Sequence, residues 1–199
     1  MSRPFIALAL VSVLVLGACD GGDPAPEPSG AAAVPFADCA ALTAPPPRAA
    51  APPSTAAPDP TALPDISLPC FAGDATVAVA DIRGPAVINL WGSWCPPCRA
   101  ELPAFQRFAA RAAGKVHVIG VDTHDTREAG ASLAADLGVT YPNLYDRSER
   151  FRIKLGGRPL PVTLFVDQQG LVRHVYNAAA LDDAELATLA ARHLGVTLP

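Results

Sequence analysis

Cys95 and Cys98 flank two prolines in Trp94-Cys95-Pro96-Pro97-Cys98, a spacing that suits a reversible dithiol pair or half of a tetrahedral metal site. A zinc site needs two further ligands at suitable spacing. No second such pair occurs, Cys39 and Cys70 are widely separated, and His117, His124, His174 and His193 are scattered, so the redox reading is preferred and no metal is expected. At the start of a helix, Cys95 meets unsatisfied backbone N–H groups and the positive end of the helix dipole, which favour thiolate over thiol. Cys95 is then the nucleophile, and Cys98, one turn further in, attacks the mixed disulfide and releases the partner. Pro96 and Pro97 have no N–H to offer the Cys95 sulfur. Fewer donors mean a less stabilised thiolate than in strongly oxidising enzymes, so the pair leans toward reduction.

The elements around the pair must deliver that geometry. From residue 63 onward, short apolar runs alternate with amphipathic segments, the pattern of an α/β domain with some parallel strands. Residues 77–79 are a short strand candidate. Residues 86–91 are apolar except Asn89, as expected of a central strand buried on both faces. Residues 95–113 read as a helix with Leu102, Phe105, Phe108 and Ala109 on its apolar side and Pro103 as a kink. Further strands are expected over 116–121 and 141–145, and further helices over 126–137 and 148–155. Residues 162–167 and 171–176 form a hairpin around Gln168-Gln169-Gly170, and Asp182 with Glu185 at capping-box spacing opens a last helix ending at Gly195.

The N-terminus sets the compartment. Arg3, an apolar stretch over 4–16 and Leu16-Gly17-Ala18-Cys19 read as an export signal over 1–18, too short for the roughly 20 residues of a spanning helix. The last four residues resemble the bacterial lipobox, which makes Cys19 the lipidated first residue of the mature chain. An ordinary secretory peptide and an uncleaved anchor are the alternatives, and all three place the body outside the cytoplasm. Asp20 resembles an inner-membrane retention signal, so the expected location is the outer face of the cytoplasmic membrane. Residues 19–62 form a Pro/Ala-rich tether, with twelve of the 22 prolines between Pro24 and Pro64. Its exception is 34–42, where Phe36, Cys39 and Leu42 make a segment able to dock on a domain over 63–199. The net charge of −4, with no run of Lys or Arg to offset it, excludes nucleic acid as a partner.

In an oxidising compartment the five cysteines divide into the lipidated Cys19, the Cys95/Cys98 pair, and a Cys39–Cys70 structural disulfide. The competing reading of the last two is a free thiol serving as a third redox centre. His124, after a strand, is expected in a solvated loop, with the edge of the site as the alternative.

The run from Trp94 to Pro103, Trp-Cys-Pro-Pro-Cys-Arg-Ala-Glu-Leu-Pro, resembles the active-site helix of TlpA/ResA-type thioredoxin-like proteins of the AhpC/TSA-redoxin superfamily. The resemblance extends from about residue 63 to the C-terminus. It takes in Gly84-Pro85-Ala86-Val87-Ile88-Asn89-Leu90-Trp91 and Leu160-Pro161-Val162-Thr163-Leu164-Phe165-Val166-Asp167, and 121–141 resembles the family's extra helical insertion. It implies a thioredoxin-like α/β fold with a central mixed sheet flanked by helices, and a thiol:disulfide oxidoreductase that needs no cofactor. Pro161 maps onto the family's cis-proline, which packs against the cysteine pair and leaves the backbone of Leu160 free to bind a substrate peptide. Trp94 is expected to shield the sulfurs and offer apolar surface to partners, with a purely packing role as the alternative. Asn89 stands where cytoplasmic thioredoxins have a buried acid, and Glu101 maps onto a family glutamate that accepts the proton of Cys98. The alternative for Glu101 is a solvated first-turn glutamate favoured by the helix dipole.

The implied partners are exported cysteine-containing proteins, such as an apocytochrome c haem-binding motif or a copper-site protein, and a membrane thiol electron donor, with the chain acting as a monomer. A net protein-thiol oxidase is the alternative within this class. A copper chaperone of the Sco type would want three residues between the cysteines, and a peroxidase a Pro and a Thr where Ile88 and Gly92 stand.

Overall fold

The computed structural model describes residues 34–46 and 61–198. The 1–18 signal segment, Cys19 and most of the 19–62 tether lie outside the described residues. In chain order the strands are β1 (Thr61–Ala62), β2 (Ser67–Pro69), β3 (Thr76–Ala78), β4 (Ala86–Trp91), β5 (His117–Thr123), β6 (Asn143–Asp146), β7 (Val162–Val166) and β8 (Leu171–Tyr176). The helices are α1 (Pro96–Arg111), α2 (Arg127–Leu137), α3 (Arg150–Lys154) and α4 (Asp183–Leu194). Six strands form one sheet in the order β1-β8-β7-β4-β5-β6, parallel between β4, β5 and β6 and antiparallel elsewhere, while β2 and β3 pair separately. The architecture is a thioredoxin-like α/β fold with a central mixed sheet, and α2 occupies the stretch that resembles the family insertion.

β4 is buried along its whole length, and its alternation divides the core in two. Val87 and Trp91 join Leu102, Phe105 and Phe108 of α1 and Leu186 and Leu189 of α4 on one face. Ile88 and Leu90 join Leu68, Phe151, Val162 and Leu164 on the other. Asn89 therefore points to the α1 and α4 face, the face that carries Cys95 and Cys98. The 34–46 segment contributes to both: Phe36 packs edge-on against Phe71 at 4.6 Å, while Cys39 and Leu42 enter the opposite cluster. A disulfide joins Cys39 to Cys70 just past β2, with Cα atoms 5.9 Å apart and both residues buried.

Local chemistry sets the element ends. Thr126 accepts from the Ala129 N–H and Asp182 from the Glu185 N–H, so each caps the helix it precedes. Gly138 and Gly195 close α2 and α4 in the left-handed region. Pro103 sits inside α1 and removes the donor for the Arg99 carbonyl. The strand expected over 77–79 falls one residue earlier, because 79–81 turns as a short 3-10 segment. The helix expected over 148–155 shortens to α3: Glu149 adopts φ 56°, and the Asp146 carboxylate takes the N–H groups of Arg150 and Phe151.

Candidate active site

β4 delivers the chain to Gly92, and α1 starts four residues later, which places the cysteine pair at the end of the central strand. Cys95 is the residue before the helix, and its sulfur accepts the Cys98 N–H at 3.3 Å. This is the one N–H that the two prolines leave within the turn between the cysteines. Cys95 and Cys98 are bonded as a disulfide with Cα atoms 5.3 Å apart, and both are buried. In this state the sulfurs are covered, so a partner must reach Cys95 along the rim formed by its neighbours.

Pro161 approaches from the adjacent strand. The β4 and β7 register pairs Leu90 with Val162, which carries Pro161 to the position opposite Trp91 at the same end of the sheet. The Leu160–Pro161 bond is cis, as the resemblance implies. Leu160 is half-buried and packs against the apolar cluster that contains both cysteines. Asn177 donates to the carbonyls of Pro159 and Pro161, at 2.7 and 2.8 Å, and holds this turn.

Glu101 is buried rather than solvated, which overturns the alternative of an exposed first-turn glutamate. One carboxylate oxygen accepts from Asn89 Nδ2 at 2.7 Å and the other from the Leu181 N–H at 3.0 Å, just before α4. Burial pushes its pKa up to about 7, against the two hydrogen bonds, which lower it. A group poised there changes charge near neutral pH, as a proton acceptor must. The helix thus brings a carboxyl to β4 where the strand supplies only an amide.

Trp94 is 54% exposed at the rim, and its indole N–H donates to the His124 carbonyl at 2.9 Å. A Cβ on Gly92 would fall 2.6 Å from the indole nitrogen, so glycine is required there for the ring to lie across the turn. His124 stands in the solvated loop expected of it and also borders the site edge given as the alternative. Its side chain is exposed, and φ 55° turns it so that its ring meets Trp94 edge-on at 6.0 Å and its Nδ1 lies 2.7 Å from Glu149.

Sequence reasoning missed Asp125 and Asp122. Asp125 takes the Ser93 N–H and the Ser93 hydroxyl at 2.5 and 3.0 Å, pinning the residue before Trp94. Asp122, on β5, is fully buried, and neither oxygen has a hydrogen-bond partner as a carboxylate. Burial, then the Asp125 carboxylate, push its pKa up to about 9 against the pull of Arg127. At neutral pH Asp122 is an acid with a proton to donate to Asp125. The available signal was Asp122 in a run otherwise reading as a buried strand, next to Asp125 three residues on.

Residues 60–175, more than half of the chain, match the AhpC/TSA family model. The chain belongs to the AhpC/TSA family. Within this family it is similar to thiol:disulfide interchange protein DsbE of Pseudomonas fluorescens biotype C, with 32% identity over 112 residues, 55% of this chain and 61% of that protein. It is also similar to thiol-disulfide oxidoreductase ResA of Geobacillus thermodenitrificans (strain NG80-2), with 29% identity over 99 residues, 49% of this chain and 57% of that protein. A crystal structure of a secreted Mycobacterium tuberculosis disulfide oxidoreductase, homologous to E. coli DsbE, matches with a TM-score of 0.58 and 25% identity. The match covers 64% of this chain and 95% of that one. The chain spans roughly half to three-fifths of the length of the curated relatives it matches.

Proposed function

We propose that this AhpC/TSA family member is a thiol:disulfide oxidoreductase that reduces disulfides in exported proteins, working outside the cytoplasm from a lipid anchor at Cys19. The observation that carries the activity is the Cys95–Cys98 disulfide at the start of α1, with cis-Pro161 brought opposite the end of β4. The Cys95 thiolate attacks one sulfur of a partner disulfide, forming a mixed disulfide and releasing the other partner sulfur as thiolate. Glu101 takes the proton of Cys98, and the Cys98 thiolate attacks the Cys95 sulfur, expelling the second partner sulfur. Two electrons pass to the partner, and the chain is left as the Cys95–Cys98 disulfide. A membrane thiol donor returns two electrons to reset it.

Trp94 and the Leu160 backbone receive the partner peptide. The shortage of N–H donors at Pro96 and Pro97 supports the reducing direction, since a weakly stabilised thiolate makes a poor oxidant. Cys39–Cys70 serves as a structural bond, supported by the burial of both residues in the core cluster across the sheet from the redox pair. The 1–18 segment acts as a signal, 19–62 as a tether with a docked 34–42 segment, and the chain works as a monomer. Apocytochrome c, whose haem-binding cysteines must be reduced before attachment, is a suitable partner.

The test is reduction of insulin by the full chain with dithiothreitol as the electron source, alongside Cys95→Ser and Cys98→Ser variants. Cys95→Ser abolishes the activity, and Cys98→Ser accumulates a mixed disulfide whose partner mass spectrometry identifies. No acceleration over dithiothreitol alone would overturn the proposal. A measured potential in the range of strong oxidants would reverse its direction.

A further inference from the structure

The redox rim continues into α3 through a chain of direct contacts. Trp94 donates to the His124 carbonyl and meets its ring, and His124 Nδ1 lies 2.7 Å from Glu149 Oε1. Glu149 is the residue before α3 and pairs again with Arg152 inside it. His124 and Glu149 both hold left-handed backbone, at φ 55° and 56°. Single non-glycine residues persist there only where their surroundings over-determine them, and such residues cluster at functional sites. The other end of α3 returns to the rim as well. Arg152 donates to the carbonyls of Gly157 and Arg158, at 2.9 and 3.0 Å, fastening the loop that runs on into Leu160 and cis-Pro161.

The exposed chemistry of this segment differs from that of the rest of the chain. Residues 147–158 hold five of the 15 Lys and Arg and one of the 19 acids, in a chain of net charge −4. Arg152 is occupied by Glu149, but Arg147, Arg150, Lys154 and Arg158 are exposed, and none has an ion pair among the described residues. Ile153, between them, is 61% exposed. It and Trp94 are the exposed large hydrophobic side chains among the described residues. Unpaired cations raise a local positive potential that attracts and orients an anionic partner, and an exposed apolar side chain gains by being covered.

We propose that α3 with its flanks, together with Trp94, is a docking surface for disulfide-bearing proteins that are acidic, with an apolar residue, near the cystine. The inference rests on the oxidoreductase reading above and adds the partner's chemistry to it. The segment reaches Trp94 through Glu149 and His124 and runs on through Pro159 and Leu160 into Pro161, so a protein held across it and Trp94 has its disulfide near Cys95. A bilayer held there would close the pair off, which favours a protein as the occupant.

The experiment compares two cystine peptides, identical except for Asp/Glu or Lys/Arg flanks, with a small uncharged disulfide as the control for an intact redox pair. Wild type reduces the acidic peptide with roughly tenfold higher kcat/KM at low ionic strength. The preference collapses at about 1 M salt, where the Debye length is about 3 Å. Arg150→Glu/Lys154→Glu/Arg158→Glu reverses the preference while still reducing the uncharged disulfide, and Ile153→Ser lowers kcat/KM for both peptides without changing their ratio. Equal rates for the two peptides, with the uncharged disulfide still reduced, overturn the docking surface alone. No reduction of any disulfide overturns the activity on which it rests. Equal peptide rates combined with charge-dependent binding to phosphatidylglycerol vesicles, lost in the triple variant, also overturn it and assign the face to a membrane.

Discussion

Glu101 is where burial and hydrogen bonding oppose each other most directly. Burial favours its neutral form, whereas the Asn89 amide and the Leu181 N–H favour the carboxylate, and the balance falls at about pH 7. Below that pH the side chain holds a proton and cannot accept the one on Cys98; above it, it can. Release of a partner from a preformed mixed disulfide should therefore accelerate as pH rises through about 7. Glu101→Gln should remove that rise and slow release at alkaline pH roughly a hundredfold, a typical contribution from a positioned base. Stopped-flow Trp fluorescence across pH checks both effects, and an unchanged profile removes Glu101 from proton transfer. Asn89→Leu takes away a donor to the carboxylate, so the inflection should move above 7, a shift that a purely structural role for Asn89 does not produce. The family resemblance of the run from Trp94 to Pro103 made Glu101 legible in the sequence. Its partner at Leu181, 80 residues away, was not, because only the docking of α4 brings that N–H to the site.

At the scale of elements, long apolar runs announced themselves and short paired pieces did not. The limits of β4 follow directly from six buried residues, and α4 from its cap and closing glycine. β1 has only two residues and a distant partner in β8 makes it a strand, while β2 has three and pairs locally with the equally short β3. The meeting of β5 and β6 was equally silent. A Cβ on Gly120 would fall 1.7 Å from Asn143 Oδ1, the atom that accepts the Trp91 indole N–H at 2.8 Å. Gly120→Ala should thus displace Asn143, leave the Trp91 donor buried and unpaired, and cost about 1–3 kcal/mol, with a shift in near-ultraviolet circular dichroism. The docked 34–46 segment gives a separate expectation. Its disulfide closes a loop across a sequence separation of 31, which by chain entropy stabilises by roughly 3–4 kcal/mol. Cys39→Ser/Cys70→Ser should lower the unfolding free energy read from urea denaturation by about that amount while leaving insulin reduction by Cys95 and Cys98 in place. Loss of the reduction in a folded double variant would make Cys39–Cys70 part of the redox chemistry.

For the molecule as a whole, Glu101 and Asp122 place two carboxyl groups in the interior of one face or edge of the same sheet, each holding its proton far above the ordinary carboxylate range. In the unfolded chain Asp122 ionises near 3.8 and Glu101 near 4.5, so as pH rises the unfolded state loses these protons first. A raised folded pKa therefore contributes stability at low pH that is lost as pH climbs toward the folded value. Between about pH 4.5 and 7 both groups drive the loss, and from about 7 to 9 Asp122 alone continues it. One such proton corresponds to about 1.4 kcal/mol per pH unit as the limiting slope. Asp122→Asn keeps a donor toward Asp125 without an ionisable proton. Its stability relative to wild type should rise steadily with pH, including across 7–9, whereas the gain of Glu101→Gln should level off above about 7. Urea unfolding of the three proteins at matched ionic strength from pH 5 to 9 reads these differences directly. If Asp122→Asn ran parallel to wild type from pH 7 to 9, Asp122 would already be ionised in the folded protein, and the proton shared with Asp125 beneath Ser93 would have to be abandoned.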